Sequence, residues 1–345
     1  MTMTTQLPQS SQAENFLFNL SRRPRRNRKS AALRELTAET VLLPQDLVLP
    51  LFICEGENQR EPIASLPGVA RLSADRAIQT AQSAYEAGVR SVILFPYVPK
   101  EARDPEGSEA RNPDNLANRT VRLFKRELPE LCVMVDVALD PYTSHGHDGL
   151  VDSEGRILND PTVRALGQMA LYQAEAGVDV IAPSDMMDGR VGYLRRLLDA
   201  EGHTSVSLMA YAAKYASAFY GPFRDALDSA PAYGDKCSYQ MNPANVKEAL
   251  MECELDEQEG ADFLLIKPGL PYLDVLAKVA ANSHLPVGAY QVSGEYAMIH
   301  AAGQNGWVDS QRIMQESLLS LKRAGARFIL TYAALDVARA ILHGS

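Results

Sequence analysis

The chain has 345 residues, 46% hydrophobic and 22% charged, a balance typical of globular proteins. Its formal net charge of −9 and pI of about 5.3 argue against a general nucleic-acid binder, because there is no broad basic field to neutralise phosphates. No stretch approaches the roughly 18 apolar residues of a membrane span. Four cysteines (Cys54, Cys132, Cys237, Cys253) without C-x-x-C spacing point to free thiols in a reducing compartment.

The opening "MTMTTQLPQSSQ" is polar and contains neither an apolar core nor an arginine, so neither a secretory signal nor an Arg-rich transit peptide is expected. The cytoplasm is the expected compartment, with a plastid left open. A basic run, "SRRPRRNRK", follows. Residues 1–40 are therefore expected to form an N-terminal arm. In an acidic chain, docking on an acidic neighbouring subunit is preferred over a nucleic-acid or membrane role.

Residues 41–345 repeat one form, a short β-branched run followed by a helical pattern. The strand candidates in order are "DLVLPLFIC", "SVILFPY", "LCVMVDVAL", "VDVIAPS", "VSLMAYAAK", "ADFLLIKPG", "PVGAYQVS" and "RFILTYAA". Between them lie segments of 3.6-residue periodicity such as "ADRAIQTAQSAYEAG" and "SQRIMQESLLSLKRAG", several closing in Ala-Gly, a helix C-cap signal. Near-continuous apolar strands alternating with helices predict a parallel sheet covered on both faces. Eight such units predict a closed (β/α)8 TIM barrel. An open doubly wound sheet is the alternative, but no G-x-G-x-x-G follows the first strand. Two long insertions, "DPEGSEARNPDN" and "GPFRDALDSAPAYGDKCSYQMNPAN", follow the second and fifth strands, where a barrel builds its site walls and lids.

In a barrel the chemistry sits at the C-terminal strand ends. Lys214 and Lys267 end consecutive strands, and two ammonium groups in a partly dry pocket disfavour each other's charge. A neutral amine attacks carbonyls, so the pair suggests Schiff-base chemistry, the alternative being salt bridges to nearby aspartates. The third strand runs into "DVALDPYTSHGHDG". Asp136, Asp140 and Asp148 suit either a hard cation or proton transfer and lysine positioning. His145 and His147 are expected to be solvated loop residues, and no thiolate stands there for a structural zinc. Asp185 and Asp188 end the fourth strand, and Ser293 and Tyr332 end the last two. Arg224 and Lys236, in the long insertion, suit a cationic lid that clamps a carboxylate, or plain surface charge.

The motifs "PSDMMDGRVG", "AYAAKYASAFYGPFRDA", "YQMNPAN", "GADFLLIKPGLPYLD" and "YQVSGEYAM", in that order, resemble the 5-aminolevulinate dehydratase (porphobilinogen synthase) family from about residue 20 onward. The resemblance implies joining of two 5-aminolevulinate molecules into porphobilinogen with loss of two waters, in tetrapyrrole biosynthesis. It implies that Lys267 serves the propionate-side substrate, with Ser293 and Tyr332 on its carboxylate. Lys214 would serve the acetate side, with Arg224, Lys236 and Gln240 as the clamp. Zinc-using members carry cysteines where this chain has Ala138, Asp140 and Asp148, so the zinc-independent branch is implied and no active-site zinc is expected. An allosteric Mg²⁺ held through its waters by Glu252 and Asp185, with Arg22 or Arg23 of a neighbouring arm, is also implied. Glu252 is expected at the barrel end opposite the lysines. A homooctamer is implied. The competing readings are a class I aldolase-type lyase, which needs one lysine, and a silent scaffold barrel.

Overall fold

The structure is a computed structural model and describes residues 21–343. The chain divides into two compact units, one ending at Val41 and the other beginning at Leu42. In the first, a 3-10 turn over Pro24–Arg28 precedes helix α1, Ala31–Leu36, whose Ser30 side chain accepts from the Leu33 amide (3.3 Å). Nearly all of its described residues are exposed, as a run of five arginines and a lysine dictates.

The second unit opens with strand β1, Leu47–Cys54, and a hairpin of β2, Arg60–Pro62, and β3, Ala70–Ser73. Helix α2 (Ala74–Glu86), β4 (Ser91–Pro96), α3 (Leu116–Glu127), β5 (Cys132–Val137) and α4 (Asn159–Glu175) follow. Next come β6 (Val180–Pro183), α5 (Arg190–Ala200), β7 (Ser207–Lys214), α6 (Gly221–Leu227) and α7 (Lys247–Gln258). The chain finishes with β8 (Phe263–Lys267), α8 (Leu273–Asn282), β9 (Val287–Gln291), α9 (Ser293–Gln304), α10 (Ser310–Arg323), β10 (Phe328–Thr331) and α11 (Ala334–Leu342).

Strands β1, β4, β5, β6, β7, β8, β9 and β10 pair in parallel in that order, and β10 returns to β1. The result is the closed eight-stranded barrel the alternation predicts. Every residue of β1 is buried, because barrel strands face packed side chains inside and helices outside. The helices bury one stripe each. In α2 the buried residues are Ala77, Ala81 and Ala84, at the i, i+4, i+7 spacing. The Ala-Gly endings act as C-caps, with Gly177 at φ 96° and Gly325 at φ 113°.

The hairpin was not anticipated. β3 pairs with the far half of β1 (Phe52↔Arg71, Cys54↔Ser73), while β10 pairs with β1 only at Leu47 and Val48. Segments of three and four residues carry too little pattern to be read as strands.

Candidate active site

The register of β7 on β8 sets the centre of the site. Lys214 lies directly beside Lys267, and a bulge between Ala210 and Ala213 precedes the pair. On a regular strand, residues 211 and 214 face opposite sides. The extra residue resets the alternation, so Tyr211 and Lys214 both serve the same pocket.

Lys267 is buried, and its Nζ stands among four rings: Phe223 (4.8 Å to the centroid), Tyr290 (4.9 Å), Tyr211 (5.2 Å) and Tyr220 (5.2 Å). No carboxylate among the described residues pairs with it. Ring faces attract an ammonium, but the water they replace solvates it far better. Burial, and then the neighbouring Lys214 charge, pull the Lys267 amine down to about 7. A large share is thus the neutral amine at physiological pH, the form that attacks a carbonyl.

Lys214 meets the opposite fate. Its Nζ pairs with Asp148 Oδ2 (3.2 Å) and donates to the Ser184 carbonyl. Asp148 Oδ1 takes the Lys236 ammonium at 2.6 Å, and Lys236 also reaches Asp140 Oδ2 at 3.4 Å. Burial raises the Asp148 carboxyl, but the two ammonium groups outweigh it and hold it below the usual carboxylate range. Burial opposes charge on Lys236, yet Asp140 and Asp148 raise its pKa and keep it cationic. The salt-bridge alternative therefore holds for Lys214 and fails for Lys267, while Lys236, buried in its ion pairs with Asp140 and Asp148, is not plain surface charge.

Asp136 ends β5, and its Oδ1 is buried without a partner. Burial pushes its carboxyl up to about 7 against the pull of Lys214. The Asp136 carboxyl thus bears on Lys267 electrostatically and raises the amine's pKa, against the pull of burial and Lys214.

The cover comes from the insertion after β7. Helix α6 places Phe223 over Lys267. Ser293 Oγ accepts from the Phe223 amide (3.0 Å) and donates to the Phe219 carbonyl (3.3 Å), so this hydroxyl holds the cover. Tyr332 and Tyr290 share a hydrogen bond between hydroxyls at 3.0 Å. Gln240 is buried with its Oε1 unpartnered. Arg224 makes no side-chain hydrogen bond or ion pair among the described residues, as suits a group awaiting an anion.

The two histidines are buried rather than solvated. His145 Nε2 contacts the Pro105 carbonyl (3.1 Å), and its Nδ1 accepts from the His147 amide (3.1 Å). His147 contacts Tyr239 Oη (3.2 Å) and the Tyr233 carbonyl (3.1 Å). They fasten the inserted segment, and long-range partners of this kind leave no local mark in the sequence.

Asp185 and Glu252 are not brought together directly. Asp185 is fully buried beside Arg190 (3.7 Å), whose guanidinium binds Asp256 through two bonds of 3.0 and 3.1 Å. Glu252 lines a cleft of ≈ 570 Å³ with Glu248, Asp188, Met187, Tyr239 and Met241. The cleft is walled by the loop after β6 and by the cover segment, so Glu252 lies toward the mouth of the barrel. The expectation of the opposite end fails because a helix that leads into a barrel strand starts at the C-terminal face and runs away from it. Burial and then the other acidic groups raise the Glu252 carboxyl against the pull of Arg190. Among the described residues, no three His, Cys, Asp or Glu side chains are grouped to hold a metal directly.

The sequence reading missed Tyr211, Tyr220, Phe223 and Tyr290, because aromatic residues on apolar strands and short helices read as core. It also missed Arg190 and Asp256, although an arginine inside "DMMDGRVG" is costly to bury unpaired.

A closed parallel barrel that carries one neutral and one ion-paired lysine on adjacent strand ends is an enzyme of the Schiff-base class. A family model described as Delta-aminolevulinic acid dehydratase matches residues 21–340. The chain is 57% identical over 318 residues to the dehydratase of Bradyrhizobium diazoefficiens, covering 92% of this chain and 90% of that one. It is 56% identical over 323 residues to the chloroplastic enzyme of Glycine max, covering 93% and 78%. The crystal structure of the Toxoplasma gondii dehydratase in complex with its product porphobilinogen superposes with a TM-score of 0.93 at 47% identity, covering 95% and 93%. The chain belongs to the delta-aminolevulinic acid dehydratase family.

Proposed function

We propose that the two lysines divide the family's reaction between two subsites. The reaction condenses two 5-aminolevulinate molecules to porphobilinogen with loss of two waters, a step of tetrapyrrole biosynthesis. The observation that carries the assignment is Lys267, a buried amine without a counter-ion beside a second, ion-paired lysine.

The neutral Lys267 amine attacks the ketone carbonyl of the propionate-side substrate. The addition product expels water to give the Schiff base. Ser293 and Tyr332 receive that substrate's carboxylate. This use of Ser293 competes with its hold on α6, so arrival of the carboxylate exchanges one set of bonds for another. Lys214 serves the acetate-side substrate. Asp148 and the Ser184 carbonyl orient its ammonium, and the positive Lys236, with Arg224 and Gln240, meets the second carboxylate. Asp136 moves protons between the substrates, and Asp140 and Asp148 hold the charge of the lysines and of the substrate amine.

The Mg²⁺ reading is kept as an allosteric one. The carboxylates of Glu252, Glu248 and Asp188, in a cleft that Arg156 also lines, would suit a hydrated cation held through its waters. Asp185, paired with Arg190, lies outside that lining. Such a cation would supply assembly-linked stimulation rather than chemistry, and no zinc is assigned to the aspartate stretch. The proposed state is a homooctamer in which the basic arm docks on a neighbour, in the cytoplasm or a plastid.

Reduction with borohydride in the presence of 5-aminolevulinate tests the assignment. Added mass is expected on the peptide that carries Lys267. A labelled protein in which that peptide is unmodified overturns it.

A further inference from the structure

We infer that Arg71 and Arg103 are positioning residues of the reaction: they form a latch that sets α6 over the Lys267 pocket. α6 is short, and its C-terminal carbonyls point away from any helical partner. Two guanidinium groups take them. Arg71 Nε donates to the Ala226 carbonyl (2.6 Å) and Nη2 to the Asp225 carbonyl (3.0 Å). Arg103 Nη2 donates to the Leu227 carbonyl (3.0 Å) and Nη1 to that of Asp228 (2.6 Å).

Four consecutive carbonyls are thus satisfied by two side chains from elsewhere in the chain. Arg71 comes from β3 of the unanticipated hairpin, and Arg103 from the insertion after β4. Both lie over one ring, Tyr97, at 3.9 and 5.9 Å from its centroid. Arg103 is further fixed by Nε to the Val98 carbonyl (2.8 Å), and Arg71 by Glu61 (3.4 Å). Lys100 adds an ion pair to Asp228 (3.0 Å). Positive charge at a helix C-terminus is also the favourable polarity.

The latch has a functional address because of what α6 carries. Phe223 forms one wall of the Lys267 cage, and Arg224 is the one arginine of that helix, its side chain without a hydrogen bond or ion pair among the described residues. Toward its other end the helix is held by the Ser293 hydroxyl, which takes the Phe223 amide, and by packing of the Phe223 ring on Phe52 and Phe95. If a substrate carboxylate claims Ser293, the latch becomes the main polar restraint on the cover. Arg71 and Arg103 then decide whether Arg224 still stands where the second carboxylate arrives. This inference rests on the reading of Lys267 and Arg224 as substrate groups.

The test uses the full-length protein with Arg71→Ala, Arg103→Ala and the milder Arg103→Lys, which keeps the charge but loses the fork. Amide hydrogen exchange over residues 219–229, measured without substrate, is expected to speed up by about tenfold or more in the alanine variants, with the barrel strands unchanged. KM is expected to rise about tenfold per lost arginine, the value of one charge-assisted hydrogen bond, with kcat reduced far less. Arg103→Lys is expected to fall between wild type and Arg103→Ala in both measurements. Unchanged exchange at 219–229 overturns the latch, whatever the kinetics. Local exchange that speeds up while KM stays at the wild-type value overturns its link to Arg224 and leaves a structural clamp. If an alanine variant fails to fold, Arg103→Lys decides alone: wild-type exchange and KM there reject the inference.

Discussion

Lys267 and Lys214 are identical side chains in adjacent register, yet their surroundings send them in opposite directions. Lys214 keeps its proton partner in Asp148, while Lys267 has rings where a carboxylate would stand. Activity should therefore follow deprotonation of Lys267, with kcat/KM rising as pH passes upward through about 7. Asp136 contributes negative charge that raises the Lys267 pKa. Asp136→Asn should shift this acid limb to lower pH and reduce kcat by about 10²–10⁴-fold, the range of a lost proton-transfer group. A limb left at the same pH would show that another group governs it. The same substitution should stabilise the fold. The folded carboxyl titrates at about 7 against 3.8 unfolded, so its contribution is present below about 4 and is lost as pH rises through 7. At pH 8 the buried charge is a net cost, and Asp136→Asn should raise Tm by about 2–4 °C for each kcal/mol released. Scanning calorimetry of both proteins at pH 8 checks the sign.

Among the elements, α9 does more than cover the barrel. Its Glu295 is buried, has no cationic partner among the described residues, and accepts from the backbone amides of Leu270 (2.7 Å), Val292 (2.7 Å) and Gly269 (3.3 Å). One carboxylate thus ties the turn after Lys267 to the start of the helix that bears Ser293. Glu295→Ala leaves these amides unpaired and should cost roughly 1–3 kcal/mol per stranded donor, with loss of Lys267 labelling by borohydride at subsaturating substrate. Glu295→Gln still presents one acceptor and should retain most of the labelling. Equal labelling in wild type and Glu295→Ala would remove Glu295 from any positioning role. At this scale the sequence was legible where pattern is long. Eight apolar runs gave eight barrel strands, and "IKPG" and "AAKY" marked the lysines as strand ends. It was silent where structure rests on distant partners. The β7 bulge, which puts Tyr211 and Lys214 on one side, breaks the alternation a reader would count on. The burial of His145 and His147 depends on an insertion some ninety residues later in the chain. Glu252 was placed at the wrong end because its helix was oriented by its following strand, not by the loop it leaves.

For the whole molecule, charge distribution is the guiding fact. A chain of net −9 concentrates a basic run within residues 21–29, and every described residue of that run is exposed. On the proposed reading such a basic segment docks on a second copy of the same chain, since each copy supplies the opposite charge in excess. Removal of residues 1–30 should therefore reduce the oligomer by sedimentation, most clearly at low salt, where the Debye length is roughly 30 Å at 0.01 M against 8 Å at 0.15 M. An assembly of unchanged size at both ionic strengths would take the arm out of the interface.

The closure of the barrel has a consequence for how the chain is made. β1 is the first barrel strand to emerge during synthesis, and its closing partner β10 is the last. Through nearly the whole interval the nascent sheet has an open edge along β1, the kind of template on which chains misassemble. The hairpin answers this. β3 starts at Ala70, soon after β1 ends at Cys54, and pairs with its last three residues, Phe52–Cys54, while β2 flanks β3. The stretch at Leu47 and Val48 must wait for β10. The part of the chain that no pattern announced thus leaves less of that edge open while the barrel is still incomplete.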